Sequence, residues 1–212
     1  EADAFVKSLA APSGEVAYFP ADLTDEAQVR ALFQHVVARF GHLDVLVNIA
    51  GYDHDNGIPL EQLDAANFDR NIAVSLKTAY LCCLEAAKLM RPRKAGSIVN
   101  MSSLTWRGSP MQFTYSAAKG GVATLTRSLA LALGPEGIRV NAVAPALVEV
   151  ETMTKIIPPA VWEQVRKGIS ATYPVRRLGK PDDISGPIAF LASEDACFVT
   201  GQILEVTGGG RL

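Results

Sequence analysis

Cysteine is scarce in this sequence, with three residues among 212. Cys82 and Cys83 are adjacent in an apolar stretch and Cys197 is distant, so the three form neither a C-x-x-C redox pair nor a zinc-ligand set. We interpret them as buried, small hydrophobic residues. Residues 53–55 (Asp-His-Asp) are metal-ligand types, but three consecutive side chains do not readily face one ion. We expect no metal site and interpret this run as a polar loop at the substrate.

The sequence also lacks an excess of basic residues, and it lacks long apolar runs. The 20 Lys and Arg residues are scattered and are outnumbered by 22 Asp and Glu, for a formal net charge of −2. Without a basic field the chain is not expected to bind nucleic acid. No apolar run approaches the roughly 18 residues that span a bilayer, so we expect no membrane association and a cytoplasmic location.

Internal repeats, low-complexity tracts and linkers are absent as well, which predicts a single domain over residues 1–212. Apolar, strand-like runs alternate with helical patterns, as in the β-α-β units of a parallel sheet. We predict strands at 15–20, 43–48, 97–101 and 139–144, and helices at 25–40, 64–90 (as one or two) and 115–133. The predicted fold class is therefore α/β with a doubly wound parallel sheet.

Tyr115 and Lys119 lie one helical turn apart in the predicted helix 115–133, so both side chains project from one face. A free tyrosine has a pKa of about 10 and exchanges protons poorly at neutral pH. A cation beside the phenolate lowers that pKa, and Lys119 is placed to supply one. The spacing predicts an acid/base pair.

The predicted strand 97–101 is followed by Ser102 and Ser103. Active sites of open α/β sheets lie outside the carboxyl ends of the strands, where such a hydroxyl and Tyr115 would converge. Tyr173 and Arg177 repeat the four-residue spacing, but no hydroxyl-tipped strand precedes them and a proline interrupts the turn. We interpret this second pair as structural.

At these residues the chain resembles the short-chain dehydrogenase/reductase family, with several motifs in the family's order. They are Asp-Leu at 22–23, Val-Asn-Ile-Ala-Gly at 47–51, the set Ser103, Tyr115 and Lys119, the strand entering a nicotinamide loop at 138–145, and the final strand at 200–209. The resemblance implies a Rossmann-type fold that binds NAD or NADP. It also implies hydride transfer between that cofactor and a ketone or secondary alcohol.

The resemblance further implies which residues form the site. Ser103 would hydrogen-bond the substrate oxygen, Tyr115 would exchange a proton with it, and Lys119 would lower the pKa of the phenol and hold the cofactor ribose. The cofactor would be lined by Asp22, Leu23, Asn48, Ala50, Gly51, Tyr115, Lys119, Pro145 and Val148. Asn141 is left out, because a strand asparagine more commonly satisfies neighbouring backbone groups.

Several positions depart from the family pattern. Ser75 stands where the family has its fourth catalytic residue, an asparagine in the proton relay. Ala146 replaces a glycine, and Val150 replaces a threonine for which Thr152 is a possible shifted substitute.

The choice of the catalytic serine rests on two opposed arguments. The loop before Tyr115 is one residue shorter than the commonest family spacing, which favours Ser102. The alternation of side chains along the strand favours Ser103. We choose Ser103.

The sequence lacks the strand and the glycine-rich T-G-x-x-x-G-x-G turn with which the family begins, and residues 1–9 resemble the helix before the third strand. We therefore expect a sheet that is missing its first strands and a sequence that belongs to a longer polypeptide. The residue that distinguishes NAD from NADP would lie on the missing unit.

The predicted function is that of an NAD(P)-dependent oxidoreductase with a small-molecule substrate, and 3-oxoacyl thioesters, sugars and steroid or cyclic alcohols all stay open. The alternative is a non-catalytic or regulatory binding protein on the same fold, which Ser75 favours. Residues 116–133 and 80–87 are apolar on nearly all sides, and such helices must be covered on every side. We therefore expect a homo-oligomer, a tetramer or a dimer.

Overall fold

A parallel four-stranded sheet forms the centre of the structure, a computed structural model that describes residues 14–55 and 57–210 without the side chains of residues 152, 154 and 156. In the order in which they pair, the strands are β1 (Val45–Asn48), β2 (Gly96–Met101), β3 (Ile138–Pro145) and β4 (Ile203–Val206). All three pairs are parallel, so the carboxyl ends of the strands meet at one edge. The predicted α/β class is confirmed.

The predicted strand at 15–20 is wrong. Residues 14–22 have no regular secondary structure and are mostly exposed, and no strand of the described sheet pairs with them. An extended segment is stabilised by hydrogen bonds to a neighbouring strand, and this segment has none in the described part of the chain. The helix expected at residues 1–9 lies outside the described residues.

Helices flank the sheet, and those at 26–40, 65–90 and 113–133 lie close to the predicted positions. Among the described residues they are α1 (Glu26–Phe40), α2 (Ala65–Asn71), α3 (Thr78–Met90), α4 (Phe113–Leu133), α5 (Glu151–Ile156), α6 (Pro159–Thr172) and α7 (Pro181–Ala192). The carboxylate of Asp25 caps α1 by accepting a hydrogen bond from the Ala27 N–H at 2.8 Å, and Gly41 ends the helix with φ of 81°. No helix within 14–55 and 57–210 is long and apolar enough to cross a bilayer.

Residues 65–90 form one helical path with a wider turn in its middle. A π-helical segment, Ile72–Lys77, joins α2 to α3 without a break. Segments of this kind are rare and occur frequently at functional sites. Ser75, the residue at the relay position, lies inside it and is buried.

Both faces of the sheet are covered by helices. Ile98 and Val140 pack with α1, α3 and the end of α4 on one face. Val99, the residue after Ile98, and Val143, three residues after Val140, pack with α7 on the opposite face. Side chains alternate between faces along each strand, so strands buried on both sides form continuous apolar runs. The sheet is doubly wound, as predicted.

Residues 149–175, which follow β3, contain α5 and α6. Trp162, Tyr173 and Leu178 form a third apolar cluster that holds it against the body of the protein. Gly208 and Gly209 pack closely beside this cluster: they have φ of 59° and 82°, and added Cβ atoms would lie 2.5 Å from Val175 and 2.6 Å from Pro174. Only glycine fits this close approach.

The cysteine prediction is correct for two residues and wrong for the third. Cys82 and Cys83 are buried in α3, where burial raises the pKa of their thiols to about 11 and about 12. Cys197 is exposed, because it follows a surface 3₁₀ turn, Glu194–Ala196, rather than lying in a packed helix.

Candidate active site

Tyr115 and Lys119 project from one face of α4 near its N-terminus, as their spacing predicts. Lys119 is only 2% exposed, and its Nζ donates a hydrogen bond of 2.9 Å to the carbonyl of Met101, the last residue of β2. Nζ lies 5.5 Å from the centroid of the Tyr115 ring. The pair therefore sits at the carboxyl end of β2, where active sites of α/β sheets occur.

The phenol of Tyr115 is held in its protonated form. Burial and, to a smaller extent, the Asp53 carboxylate raise the pKa of Tyr115, a hydrogen bond with Ser103 acts in the opposite direction, and the resulting pKa is about 12. The expected net lowering of this pKa is therefore wrong for this structure, because loss of hydration of the phenolate outweighs the favourable charge of Lys119. Burial also lowers the pKa of Lys119 to about 8, which weakens it as a cation above neutral pH.

The two serines after β2 point in different directions. Ser102 is 2% exposed, and its Oγ donates a hydrogen bond of 3.0 Å to the carbonyl of Lys119, so it ties the strand to α4. Ser103 instead hydrogen-bonds the Tyr115 side chain. Its Oγ also accepts the Thr105 N–H at 3.3 Å, which starts a 3₁₀ turn at Leu104–Arg107. Ser103 is therefore the serine that contacts the phenol, whereas the hydroxyl of Ser102 is occupied within the fold.

The loop after β1 closely approaches the lysine. A Cβ on Gly51 would lie 3.0 Å from Lys119 Nζ and 3.3 Å from Ser75 Oγ, so a larger residue would displace one of them. An ammonium group has three N–H donors, and among the described residues Met101 supplies the one acceptor. Two donors are left for a bound molecule with vicinal hydroxyls. This cradle fits the ribose of a dinucleotide.

Ser75 is bonded to the same loop. Its Oγ donates to the carbonyl of Tyr52 at 3.2 Å and accepts the Tyr52 N–H at 3.3 Å. Its hydroxyl therefore links the π-helical segment to Tyr52, the residue that follows Gly51. The serine at the relay position thus fixes the backbone of this loop.

The remaining predicted cofactor residues lie at or near the same edge of the sheet. Ala50 follows β1, Pro145 ends β3, and Val148 forms an isolated parallel bridge with Gly179. The side chain of Asn48 does not face a ligand, because it donates a hydrogen bond of 2.9 Å to Asn100 Oδ1 in the sheet. Only its backbone is available to a cofactor.

Asp22 and Leu23 also have structural partners. The Asp22 carboxylate accepts from both the N–H and the hydroxyl of Thr24, and these hydrogen bonds lower the pKa of Asp22. Leu23 packs against the apolar cluster under α1. The side chain of Thr152, the possible shifted substitute, lies outside the described residues.

Asp55 is the residue of this region that sequence interpretation missed. It is fully buried, and its carboxylate bonds to the first turn of α4 rather than facing a substrate. The interpretation of residues 53–55 as a polar substrate loop is therefore wrong for Asp55. No local signal reveals this contact, since Thr114 and Tyr115 are 59 and 60 residues away along the chain. Within the described ranges no three His, Cys, Asp or Glu side chains cluster as metal ligands.

The three residues that we interpret as structural, Asn141, Tyr173 and Arg177, have hydrogen-bond or ion-pair partners within the fold. Asn141 donates to the carbonyl of Val199 at 2.8 Å and accepts the N–H of Gln202 at 3.0 Å. Tyr173 is buried and its hydroxyl accepts the N–H of Leu147 at 3.1 Å. Arg177 pairs with Asp183. Each of these side chains is occupied by a partner that stabilises the fold.

Comparison with known proteins gives consistent matches over most of the chain. A family profile described as enoyl-(acyl carrier protein) reductase matches residues 1–210. The cis-4-hydroxycyclohexanecarboxylate dehydrogenase of Sinomonas cyclohexanicum is 41% identical over 209 residues, 98% of this chain and 82% of that protein. The 3-oxoacyl-[acyl-carrier-protein] reductase FabG of Staphylococcus aureus is 38% identical over 210 residues, 99% of this chain and 82% of FabG.

Solved structures agree with these matches. ElxO with NADP bound is 36% identical and superimposes with a TM-score of 0.85 over 91% of this chain and 77% of its own. A Tyr-to-Phe variant of ElxO with NADPH bound is 34% identical, with a TM-score of 0.90 over 98% of this chain and 83% of its own. The sequence motifs, the parallel sheet and these relatives together show that the chain belongs to the short-chain dehydrogenase/reductase family of NAD(P)-dependent oxidoreductases.

Proposed function

We propose that this protein interconverts a ketone and a secondary alcohol, with Ser103, Tyr115 and Lys119 as its catalytic residues and NAD or NADP as its cofactor. The observation that carries the proposal is their convergence at the carboxyl end of β2. The Tyr115 phenol bonds to Ser103 and lies beside the Lys119 ammonium. A scaffold has no structural need to keep these three groups together.

Proton transfer follows from the ionisation of Tyr115. With a pKa of about 12 the phenol is protonated at neutral pH, so the site is prepared to donate a proton to an oxygen that becomes an alkoxide. Ser103 would donate a second hydrogen bond to that oxygen and stabilise its developing charge. The ammonium of Lys119 would then stabilise the phenolate left behind. In the alcohol-oxidising direction the same steps run in reverse.

Dinucleotide binding is supported by the cradle at Lys119. Its two free N–H donors would hold the ribose hydroxyls next to the nicotinamide, and the backbone of Asn48, Ala50 and Gly51 would line the same crevice. Pro145 and Val148 would close the nicotinamide side, with Asp22 and Leu23 near the adenine. When bound, the nicotinamide ring gives or takes the hydride.

The test measures absorbance change at the nicotinamide wavelength with 3-oxoacyl thioesters, sugars and cyclic alcohols and ketones. Tyr115→Phe should remove nearly all turnover while dinucleotide binding is retained, because the deleted hydroxyl acts only in the transition state. Tyr173→Phe is the matched control, since it deletes another buried phenolic hydroxyl with one hydrogen bond. Activity of Tyr115→Phe within tenfold of the parent would refute the assignment.

A non-catalytic dinucleotide-binding protein is the second candidate, and Ser75 favours it. Its hydroxyl donates a hydrogen bond to the Tyr52 carbonyl and accepts one from the Tyr52 N–H, so it does not replace an asparagine relay directly. Tight dinucleotide binding without turnover of any tested substrate class would support this candidate over the first.

We also propose a homo-oligomer, a tetramer or a dimer, in the cytoplasm. On α4 Leu131 is 82% exposed, and on α3 Tyr80 and Leu84 are 45% and 36% exposed, which leaves apolar surface for a second copy. The exposed thiol of Cys197 is consistent with a reducing compartment.

A further inference from the structure

We propose that Asp55 is a positioning residue for Tyr115, and that it acts by holding the first turn of α4 from the loop that follows β1. The proposal rests on the function proposed for Ser103, Tyr115 and Lys119, and it assigns a role to a residue that takes no part in the chemistry itself.

The contacts of Asp55 are unusually complete for a loop carboxylate. Its Oδ2 accepts the backbone N–H of Thr114 at 2.5 Å and that of Tyr115 at 3.0 Å. Its Oδ1 accepts the Thr114 hydroxyl at 2.7 Å and the Asn71 side-chain amide at 2.9 Å. The side chain is fully buried. A buried carboxylate is tolerated only where such donors replace its water, so these four bonds must form together.

These bonds make Asp55 the cap of α4. The helix starts at Phe113, and the residue before it, Gln112, makes no capping bond with its own side chain. The first N–H groups of a helix have no partner inside it, and Thr114 and Tyr115 carry two of them. Asp55 satisfies both from 59 and 60 residues away, and its charge faces the positive end of the helix.

One of the two clamped groups is the N–H of Tyr115 itself. The Cα of the catalytic tyrosine is therefore held by the loop that also carries Gly51 and contacts Lys119. Asn71 extends the clamp, since its Oδ1 accepts the His54 N–H at 3.1 Å while its amide donates to Asp55 and Thr114. A shift of the phenol by about 1 Å can cost on the order of 100-fold in rate.

The experiment compares three variants of the full chain. Asp55→Ala removes all four bonds and should lower kcat by about 100-fold. Asp55→Asn keeps one acceptor oxygen for the two backbone N–H groups but loses the charge, and should lower kcat by about tenfold and thus restore part of what alanine loses. For both, dinucleotide affinity should change less than about threefold, because Lys119 and the loop backbone stay in place.

Asp25→Ala is the matched control for stability. Asp25 caps α1 in the same way, through a carboxylate that accepts a backbone N–H, and lies outside the site. It should lower the melting temperature and leave kcat within about twofold. A large fall in kcat for the Asp55 variants, with retained dinucleotide affinity and an unaffected control, supports the positioning role.

Other outcomes overturn the proposal. If the Asp55 variants keep kcat within about threefold, or if kcat of all three variants falls in step with their stability, Asp55 is only a structural cap. If Asp55→Ala fails to fold, the decision rests on Asp55→Asn, for which unchanged kcat is the refuting result. Absence of turnover in the parent protein, by contrast, would refute the proposed function, and the role of Asp55 with it.

Discussion

Replacement of Lys119 by methionine should stabilise the protein while it abolishes turnover. Lys119 is 2% exposed and burial lowers its pKa from 10.5 to about 8. At 1.36 kcal/mol per pKa unit, keeping the ammonium charged in the folded state costs about 3 kcal/mol below pH 8. Methionine fills a similar volume without this cost but loses the bond to the Met101 carbonyl, worth about 1.5 kcal/mol. The expected net gain is about 1–2 kcal/mol, or several degrees in Tm.

The pH dependence tests the cause of that gain. Between pH 8 and 10.5 the unfolded chain still holds the lysine proton and the folded chain does not, so the free energy of unfolding of the parent should rise with pH relative to that of Lys119→Met. By pH 9.5 the difference in stability between the two proteins should change by about 2 kcal/mol in favour of the parent. The raised pKa values of Cys82 and Cys83 act in the opposite direction above about pH 8.5, and that of Tyr115 does so above about pH 10, because these groups ionise first in the unfolded chain. Both proteins contain these three groups, so the difference between them reports on Lys119 over pH 7.5 to 9.5.

Urea unfolding followed by Trp fluorescence at these pH values, at one protein concentration, measures the effect. Lys167→Met is the control, because it removes a lysine whose side chain is 74% exposed and should leave the parent's pH slope unchanged. A Lys119→Met protein less stable than the parent at pH 7.5, with a stability difference that stays constant toward pH 9.5, would refute the argument that burial of this charge destabilises the fold.

Two further predictions concern the serines and the helix surface. Ser103→Ala should lower kcat by about 100-fold with little change in Tm. Ser102→Ala should lower Tm and keep kcat within about tenfold, because Ser102 bonds to the Lys119 carbonyl. Steady-state kinetics and thermal melts measure both effects, and the reverse pattern would make Ser102 the catalytic serine. Leu131 is 82% exposed on α4, so Leu131→Glu should convert the oligomer to a smaller species in light scattering. The circular dichroism spectrum should stay the same. A parent protein that is already monomeric at micromolar concentration would contradict the proposed assembly.

Several features of the protein could be predicted from sequence, because they depend on residues close together in the chain. The four-residue spacing of Tyr115 and Lys119 places both on one face of a helix whatever the helix packs against. The alternation of apolar runs and helical patterns indicates a parallel sheet, and β1, β2 and β3 lie where those runs predict them. The place of Asn141 in a strand predicts a structural role, and its hydrogen bonds with Val199 and Gln202 agree with that prediction.

Other features depend on contacts between distant parts of the chain and were decided by the tertiary structure alone. Residues 15–20 have the composition of a strand but no neighbour to pair with in the described fold. The pKa of Tyr115 rises because packing removes water from the phenol, an effect that the nearby lysine in the sequence does not reveal. Asp55 caps a helix that begins far from it in the chain. Local patterns determine which groups are available for chemistry, whereas burial and long-range hydrogen bonds determine their charge and position.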